Sequence, residues 1–226
     1  MDVWIINQSK LRAALVLFAA ISMFGFEARA AESFIPYHQE RILPSANTLK
    51  LKAKWRPVLS KSHQELMQLE QGRLKPLISY LRTLSAEAQI HYINRWFNKR
   101  MVYRRDRKGY DKWQSIGESV FRRAGDCEDY SIAKYAMLRY LGHDTNNLML
   151  VGGVSRSAEK HIVLYVRHGS KVLALDMARD VITSVEHAFG FNPVFGFREQ
   201  VTQLYLYKRK YLPIRPRKSD RVASFH

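Results

Sequence analysis

The 226-residue chain contains a single cysteine, Cys127, and this residue constrains the fold more than any other. One cysteine cannot form a disulfide within its own chain, so the fold must rest on a hydrophobic core. The roles left for the thiol are a free side chain, an intermolecular bridge or a reactive nucleophile. A zinc site built from a thiolate cluster is excluded because it would need more cysteines.

The first thirty residues have the pattern of a secretory signal peptide. Lys10 and Arg12 precede an apolar run over 13–26, and Ala28-Arg29-Ala30 fits the small-residue cleavage pattern. The apolar run is shorter than the roughly 20 residues that a membrane-spanning helix needs. We therefore predict cleavage after Ala30, which in a bacterium gives a periplasmic or secreted protein.

The charge of the chain narrows the class of partner. Its formal net charge is +17 at pH 7, which favours nucleic acid, an anionic membrane face or an acidic protein. Export makes nucleic acid the least suitable of these, and the chain lacks an interleaved aromatic–basic motif of the RNA-binding type. We therefore expect no nucleic-acid partner. The alternative is a solvated basic face that only keeps the protein soluble.

Hydrophobic periodicity predicts helices followed by strands. Residues 31–60 are interpreted as irregular or extended. Helices are predicted over 62–84 with a break near Gly72, after Ser85, and from Cys127 to Gly142. Strands are predicted at 148–154, 161–167, 171–176 and 201–207. This order indicates an α+β domain rather than a parallel α/β sheet.

The same patterns divide the chain into four parts. These are the signal peptide 1–30, a partly helical N-terminal extension 31–84, a core 85–207 and a basic tail 208–226.

Three carboxylates flank the cysteine in the stretch Gly125–Tyr130. With Asp126 as N-cap, Cys127 lies at the positive end of the helix dipole, which stabilises a thiolate. The adjacent acids Glu128 and Asp129 oppose this by repulsion. Two interpretations remain open: the acids cap the first helical turn, or their hard oxygens hold a calcium ion that neutralises them.

A candidate base and a candidate orienting acid lie on a predicted β-hairpin. His161 opens one strand and Asp176 ends the next. If the loop is His168-Gly169, the two residues are direct cross-strand neighbours, with Cβ atoms about 4.5–5.5 Å apart. If the loop is Gly169-Ser170, they are diagonal neighbours on the same face. Either register lets the aspartate orient an imidazole, as in a catalytic triad; a satisfied polar pair at a strand edge is the alternative.

The motif Gly-Asp-Cys-Glu-Asp-Tyr, followed by Ser-Ile-Ala-Lys-Tyr-Ala-Met-Leu, resembles the bacterial transglutaminase-like cysteine proteinase family of the LapG type. Asp111-Lys-Trp113, His161-Ile-Val-Leu and Leu175-Asp176 fit the same pattern. The resemblance covers roughly residues 85–200. The chain departs from the family in lacking a proline after Trp113 and in its strongly basic tail.

The resemblance implies a papain-like or transglutaminase-like cysteine protease fold, with the cysteine helix packed on an antiparallel sheet. It implies Cys127 as nucleophile, His161 as general base and acid, and Asp176 as the group that orients His161. It also implies calcium (Ca2+) held by residues matching Asp126, Glu128 and Asp129.

Family members act in the periplasm on large RTX-like surface adhesins. They cut near the N-terminal retention module at a di-alanine site, which releases the adhesin and disperses biofilm. An inner-membrane receptor for cyclic di-GMP sequesters the protease through its periplasmic domain. Two other functions stay open from the residues: acyl transfer to an amine, as in transglutaminases, and a catalytically silent module that binds a receptor.

Overall fold

A computed structural model of the chain describes residues 39–42, 46–107, 109–185, 190–199 and 204–207. The predicted signal peptide 1–30 and basic tail 208–226 lie outside these residues. No helix within the described ranges combines the length and apolar character needed to cross a membrane.

Within the part of the chain that the structure describes, five α-helices precede most of the sheet. They are α1 (Ala46–Gln71), α2 (Lys75–Arg82), α3 (Ala86–Arg100), α4 (Ile116–Arg122) and α5 (Cys127–Tyr140). The predicted break near Gly72 is confirmed, because α1 ends at Gln71 and Pro76 lies in the first turn of α2. Ser85 caps α3, where its hydroxyl accepts a hydrogen bond from the Ala88 amide.

Seven strands of the described residues form one antiparallel sheet. They are β1 (Gln39–Ile42), β4 (Leu148–Ser155), β5 (Lys160–His168), β6 (Lys171–Leu175), β7 (Thr183–Ser184), β8 (Phe191–Phe197) and β9 (Leu204–Tyr207). Their order across the sheet is β1-β9-β8-β4-β5-β6-β7. Two short strands, β2 (Val102–Tyr103) and β3 (Ala124–Gly125), pair in parallel as a separate sheet. Helices packed on an antiparallel sheet confirm the α+β prediction.

The core lies between α5 and the sheet. Helix α5 is buried along most of its length, because Ile132, Ala133, Tyr135 and Met137 cover more than one of its faces. One face of the sheet meets it with the side chains Leu148, Leu150, Leu164, Val166 and Leu175.

An aromatic cluster joins distant parts of the chain to this core. The ring of Trp55, on α1, lies 5.0 Å from that of Tyr135 on α5 and 5.8 Å from that of Phe197 on β8, in edge-on geometry. Trp113 stacks on Phe197 with ring centroids 6.2 Å apart. Trp55 is fully buried. Edge-on and offset rings of this kind add stability beyond the area that they bury.

The prediction of irregular structure over 46–60 was wrong, because α1 begins at Ala46. Leu51, Trp55 and Leu59 repeat every four residues and pack on the core, which is helical rather than strand-like spacing. Pro57 lies inside this helix, where a proline removes a backbone hydrogen bond at a cost of about 3 kcal/mol. The buried side chains on either side of Pro57 offset this cost.

The hairpin between β5 and β6 selects one of the two registers considered above. His168 pairs with Lys171, so the loop is Gly169-Ser170. Gly169 has φ +58°, as the first loop position of a type II′ turn requires, and glycine adopts it without steric cost. The diagonal arrangement of His161 and Asp176 is confirmed and the directly opposite one is wrong.

Candidate active site

Cys127 is the first residue of α5, as predicted, and its side chain is buried, with 9% exposed. Its thiol donates a hydrogen bond to Glu128 Oε2 at 3.1 Å. The backbone of Ile162, the residue after His161, also hydrogen-bonds the sulfur. One turn along α5, the Ser131 hydroxyl donates to the Ile162 carbonyl at 3.2 Å. These bonds hold the start of α5 against the start of β5.

Burial raises the pKa of the Cys127 thiol, and the negative charge of Glu128 raises it further. The Ile162 backbone opposes this shift. Cys127 can therefore form a thiolate only if a nearby group accepts its proton and the negative charge of Glu128 is neutralised.

Asp129 closes the first turn of the cysteine helix. Its Oδ2 accepts from the Asp126 amide at 3.2 Å. Its Oδ1 accepts from the Gln114 amide at 2.8 Å, and the Gln114 side-chain amide donates to Oδ2. Asp129 is thus a capping group in this structure. A proline at position 114, directly after Trp113, would lack the amide that holds Asp129.

Asp126 and Glu128 fit a cation better than Asp129 does. Asp126 Oδ1 is buried and has no hydrogen-bond partner among the described residues. Burial, followed by the charges of Glu128 and Asp129, raises the pKa of Asp126 to about 8. A bound cation would favour the ionised form of Asp126 and would be coordinated by its unpaired oxygen.

The described ranges nevertheless contain no group of three or more His, Cys, Asp or Glu side chains arranged to hold a metal ion. The calcium ligands Asp126, Glu128 and Asp129 therefore stay a prediction.

His161 and Asp176 meet across the β5–β6 hairpin. His161 Nε2 lies 2.9 Å from Asp176 Oδ1, and both side chains are mostly buried. Burial alone would raise the pKa of Asp176, but the hydrogen bond and charge of His161, the Ala178 amide and the Lys134 charge together lower it. The carboxylate therefore accepts the Nε2 proton, which leaves Nδ1 of the neutral ring as a proton acceptor.

A buried polar network fixes the turn that follows Asp176. On α3, the Asn98 side chain donates to the carbonyls of Asp176 at 3.0 Å and Arg179 at 2.9 Å. One turn earlier, the Asn94 side chain donates to the Arg179 carbonyl at 2.8 Å. Lys134 of α5 is fully buried, and its Nζ donates to Asn94 Oδ1 at 2.8 Å and to the Leu175 carbonyl at 3.4 Å.

Sequence reasoning missed this network. Lys134 lies on the cysteine helix two turns beyond Cys127, at a position where apolar neighbours predict core. A lysine in such a place was the one available signal, because lysine is rarely buried without a polar partner. Asn94 and Asn98 gave no signal, since their partners lie about eighty residues further along the chain.

The buried Lys134 makes stability depend on pH in a defined way. Burial lowers its pKa to about 7, although the charges of Asp176 and Asp180 oppose the shift. Between about pH 7 and pH 10 the unfolded chain holds a proton that the folded chain lacks, so folded stability rises with pH across this window. The slope is at most about 1.4 kcal/mol per pH unit.

We expect Lys134→Met to remove this slope. The free energy of unfolding of the wild type minus that of the variant should increase as pH rises from about 7 to 10, measured by urea denaturation at each pH. Below pH 7 the variant should be at least as stable as the wild type, because a buried charge is costly. Lys171→Met, at an exposed lysine on β6, is the control. A wild-type minus Lys134→Met difference that is independent of pH would contradict the expectation.

Comparison with known proteins identifies the class of the site. Residues 72–190 match the family model described as bacterial transglutaminase-like cysteine proteinase BTLCP. A comparison with curated protein sequences gives no match.

The fold is similar to solved structures of Legionella pneumophila LapG. The calcium-bound form is 27% identical, with a TM-score of 0.55, over 68% of this chain and 90% of that one. The EGTA-treated form is also 27% identical, with a TM-score of 0.54, over 68% and 88%. A third LapG structure is 27% identical, with a TM-score of 0.53, over 67% of this chain and 89% of that one.

These matches agree with the resemblance found in the motif around Cys127, and they confirm a LapG-type cysteine peptidase with a transglutaminase-like fold. The family match spans more than half of the chain, from the turn after α1 to the turn before β8. The chain belongs to the bacterial transglutaminase-like cysteine proteinase family.

Proposed function

We propose that this chain is a periplasmic, calcium-dependent cysteine endopeptidase with Cys127, His161 and Asp176 as its catalytic triad. Its substrate is a large RTX-like surface adhesin, cut near the N-terminal retention module at a di-alanine site. Cleavage releases the adhesin and promotes biofilm dispersal. An inner-membrane receptor that senses cyclic di-GMP holds the enzyme through a periplasmic domain. The motif around Cys127, which resembles that of the LapG-type family, supports this substrate and this receptor.

One observation carries the catalytic part of the proposal. The His161–Asp176 hydrogen bond lies at the start of β5, and the next residue, Ile162, contacts the sulfur of Cys127. Asp176 fixes the ring through Nε2, so Nδ1 is the atom left to take the thiol proton. In a catalytic triad the acid must orient the histidine ring as well as carry a negative charge.

The reaction then follows from these groups. His161 Nδ1 takes the proton of Cys127, and the thiolate attacks the carbonyl carbon of the scissile peptide bond. His161 returns the proton to the leaving amine as the C–N bond breaks, which leaves a thioester. His161 next removes a proton from water, and the oxygen attacks the carbonyl carbon of the thioester. The C–S bond breaks to release the carboxylic acid product, and His161 returns the proton to the Cys127 sulfur. The free amide of Cys127, in the first turn of α5, donates to the developing oxyanion.

A calcium ion held by Asp126 and Glu128 would supply positive charge beside the nucleophile. Asp129 keeps its capping bonds to the Asp126 and Gln114 amides in this arrangement. The chain's own contribution is to bring two carboxylates together at the start of α5. The solved calcium-bound and EGTA-treated forms of LapG support the choice of ion.

We expect calcium to stabilise the folded protein and chelation to lower its peptidase activity. At a concentration one hundred times the Kd, one bound ion adds about 2.7 kcal/mol to the free energy of unfolding. Thermal denaturation with CaCl2, MgCl2 or EGTA measures the effect, and Asp126→Asn should abolish the calcium-dependent part. An unchanged Tm together with full activity in EGTA would leave Asp126, Glu128 and Asp129 as capping groups only.

The substrate assignment is tested by incubating the purified protein with the N-terminal fragment of a large adhesin from the same organism. Cleavage in calcium, with the new termini located by mass spectrometry between two alanines, is the expected result. An intact fragment after prolonged incubation with calcium would overturn the adhesin assignment. An added primary amine distinguishes acyl transfer, because a transferase would attach the amine to the product.

A further inference from the structure

An open pocket of about 100 Å³ lies away from the proposed triad, where the end of α3 meets α4. Three arginines surround it: Arg73 from the turn before α2, Arg100 from the last turn of α3, and Arg123 from the end of α4. No acidic side chain is among the residues that line it. The pocket is therefore strongly positive.

Aromatic rings hold two of the guanidinium groups in place. The Arg100 guanidinium lies 4.8 Å from the ring centre of Trp96, and that of Arg73 lies 4.9 Å from the ring centre of Phe121. Stacking of this kind fixes a guanidinium while its N–H edges stay available to a ligand. Phe121 is itself 66% exposed, so it offers an apolar contact beside the charge.

The charges of the three pocket arginines are not neutralised by ion pairs with other described residues. Elsewhere in the fold, Arg82, Arg105 and Arg139 each pair with a glutamate. Within the described part of the chain, no aspartate or glutamate forms an ion pair with Arg73, Arg100 or Arg123. Three like charges around one pocket repel one another, and an anionic ligand would relieve this repulsion.

A buried hydroxyl at the pocket also indicates a ligand. Ser119 lines it, is fully buried, and its hydroxyl has no hydrogen-bond partner among the described residues. A buried donor without an acceptor is unfavourable, and a ligand oxygen would satisfy it. Arg123 ends α4 with φ +52°, the left-handed conformation that is common at the end of a helix. Its amide bonds to the Ser119 carbonyl and its carbonyl to the Val102 amide, which fixes the residue at the pocket.

The pocket lies within reach of a polypeptide bound at the proposed catalytic residues. Arg123 precedes Cys127 by four residues, through the short strand β3, so their Cα atoms are at most about 14 Å apart. A substrate of a few residues beyond the scissile bond can span this distance.

We propose that the arginine pocket is an exosite that binds carboxylate side chains of an acidic segment in the protein substrate. The proposal rests on the proposed function for its role in cleavage, but the binding itself does not need an active triad. The side chains that recognise the carboxylates are Arg73, Arg100 and Arg123, with the Ser119 hydroxyl as a further donor.

The test is calorimetric titration of the full-length Cys127→Ala protein with a synthetic oligo-glutamate peptide. We expect binding that weakens as salt rises, and at least about tenfold weaker binding to a protein that also carries Arg73→Gln and Arg100→Gln. Ser119→Ala should weaken binding about threefold to tenfold. A control with the same loss of charge, Lys50→Gln and Lys171→Gln, should differ from the parent by less than about twofold, because both lysines are exposed and lie on other elements.

Absence of peptide binding, or equal losses in the two double variants, would overturn the exosite. Inorganic phosphate that binds as tightly as the peptide would indicate a site for free anions and would overturn it as well. The Cys127→Ala background separates this result from the proposed function. Peptide binding with the expected losses, in a protein whose wild type leaves the adhesin fragment intact, would support the exosite and reject the adhesin.

Discussion

Replacing Cys127 with alanine is expected to lower kcat for peptide cleavage by at least about 10³-fold, because Cys127 is the only cysteine in the sequence and a thioester needs a thiol. The thiol occupies the first turn of α5, where the Ile162 backbone and Glu128 contact its sulfur. Substrate binding should persist, since the substitution removes one atom from a small side chain. Single-turnover assays with the wild type and the variant measure the loss.

The fold must be shown to survive this substitution. Circular dichroism and Tm should match those of the wild type within the range of a control such as Met67→Ala, at a half-exposed position on α1. Cleavage at wild-type rate by a folded Cys127→Ala protein would reject the thiol mechanism.

Asp176→Asn should cause the second largest loss, a fall in kcat of roughly 10³–10⁴-fold, by comparison with the equivalent change in a serine protease triad. The asparagine has the same shape, but its amide can donate to His161 Nε2. The ring would then carry its proton on Nδ1, where the mechanism needs a proton acceptor. KM should change little, because Asp176 does not contact the substrate.

Asp180→Asn provides the matched control for this loss. Asp180 lies in the same turn, but its carboxylate pairs with Lys99 at 2.8 Å rather than with His161. We expect its kcat to stay within about threefold of the wild type, because the pair is partly exposed to solvent. An Asp176→Asn enzyme that is as active as the wild type would show that Asp176 is only a structural partner of His161.

The parts of the site that are local in sequence could be predicted from it. Asp126 as N-cap, Cys127 at the helix start and Gly142 after its end all follow from backbone chemistry within a few residues. The hairpin that joins His161 to Asp176 is also local, and its register could have been chosen. A His168-Gly169 loop of type I′ would force His168 to positive φ, whereas Gly169-Ser170 places glycine at that position.

Two other elements, α4 and β8, have only weak signals of their secondary structure in the sequence. Helix α4 has only seven residues, too few for a periodic pattern, and its one signal was the capping box between Ser115 and Glu118. Strand β8 contains Pro193, which argues against a strand within a sheet. Pro193 is tolerated because it faces Gly153, where the pairing of β4 with β8 shifts register.

The remaining parts of the site depend on contacts between distant residues. The capping bonds of Asp129 depend on Gln114, which reaches it from the segment before α4. The chain on either side of Asp176 is held from two separate helices, by Lys134 at the Leu175 carbonyl and by Asn94 at the Arg179 carbonyl. No periodicity or short motif encodes such pairs, because each partner is acceptable alone as a surface or capping residue.

The aromatic cluster around Trp55 has a practical consequence for recombinant work. The stretch that matches the family, 72–190, excludes both the helix that carries Trp55 and the strand that carries Phe197. A fragment trimmed to that stretch would uncover Tyr135, on the cysteine helix, and Trp113. Expression trials should therefore place the fragment ends outside β1 and β9, rather than at the limits of recognisable homology.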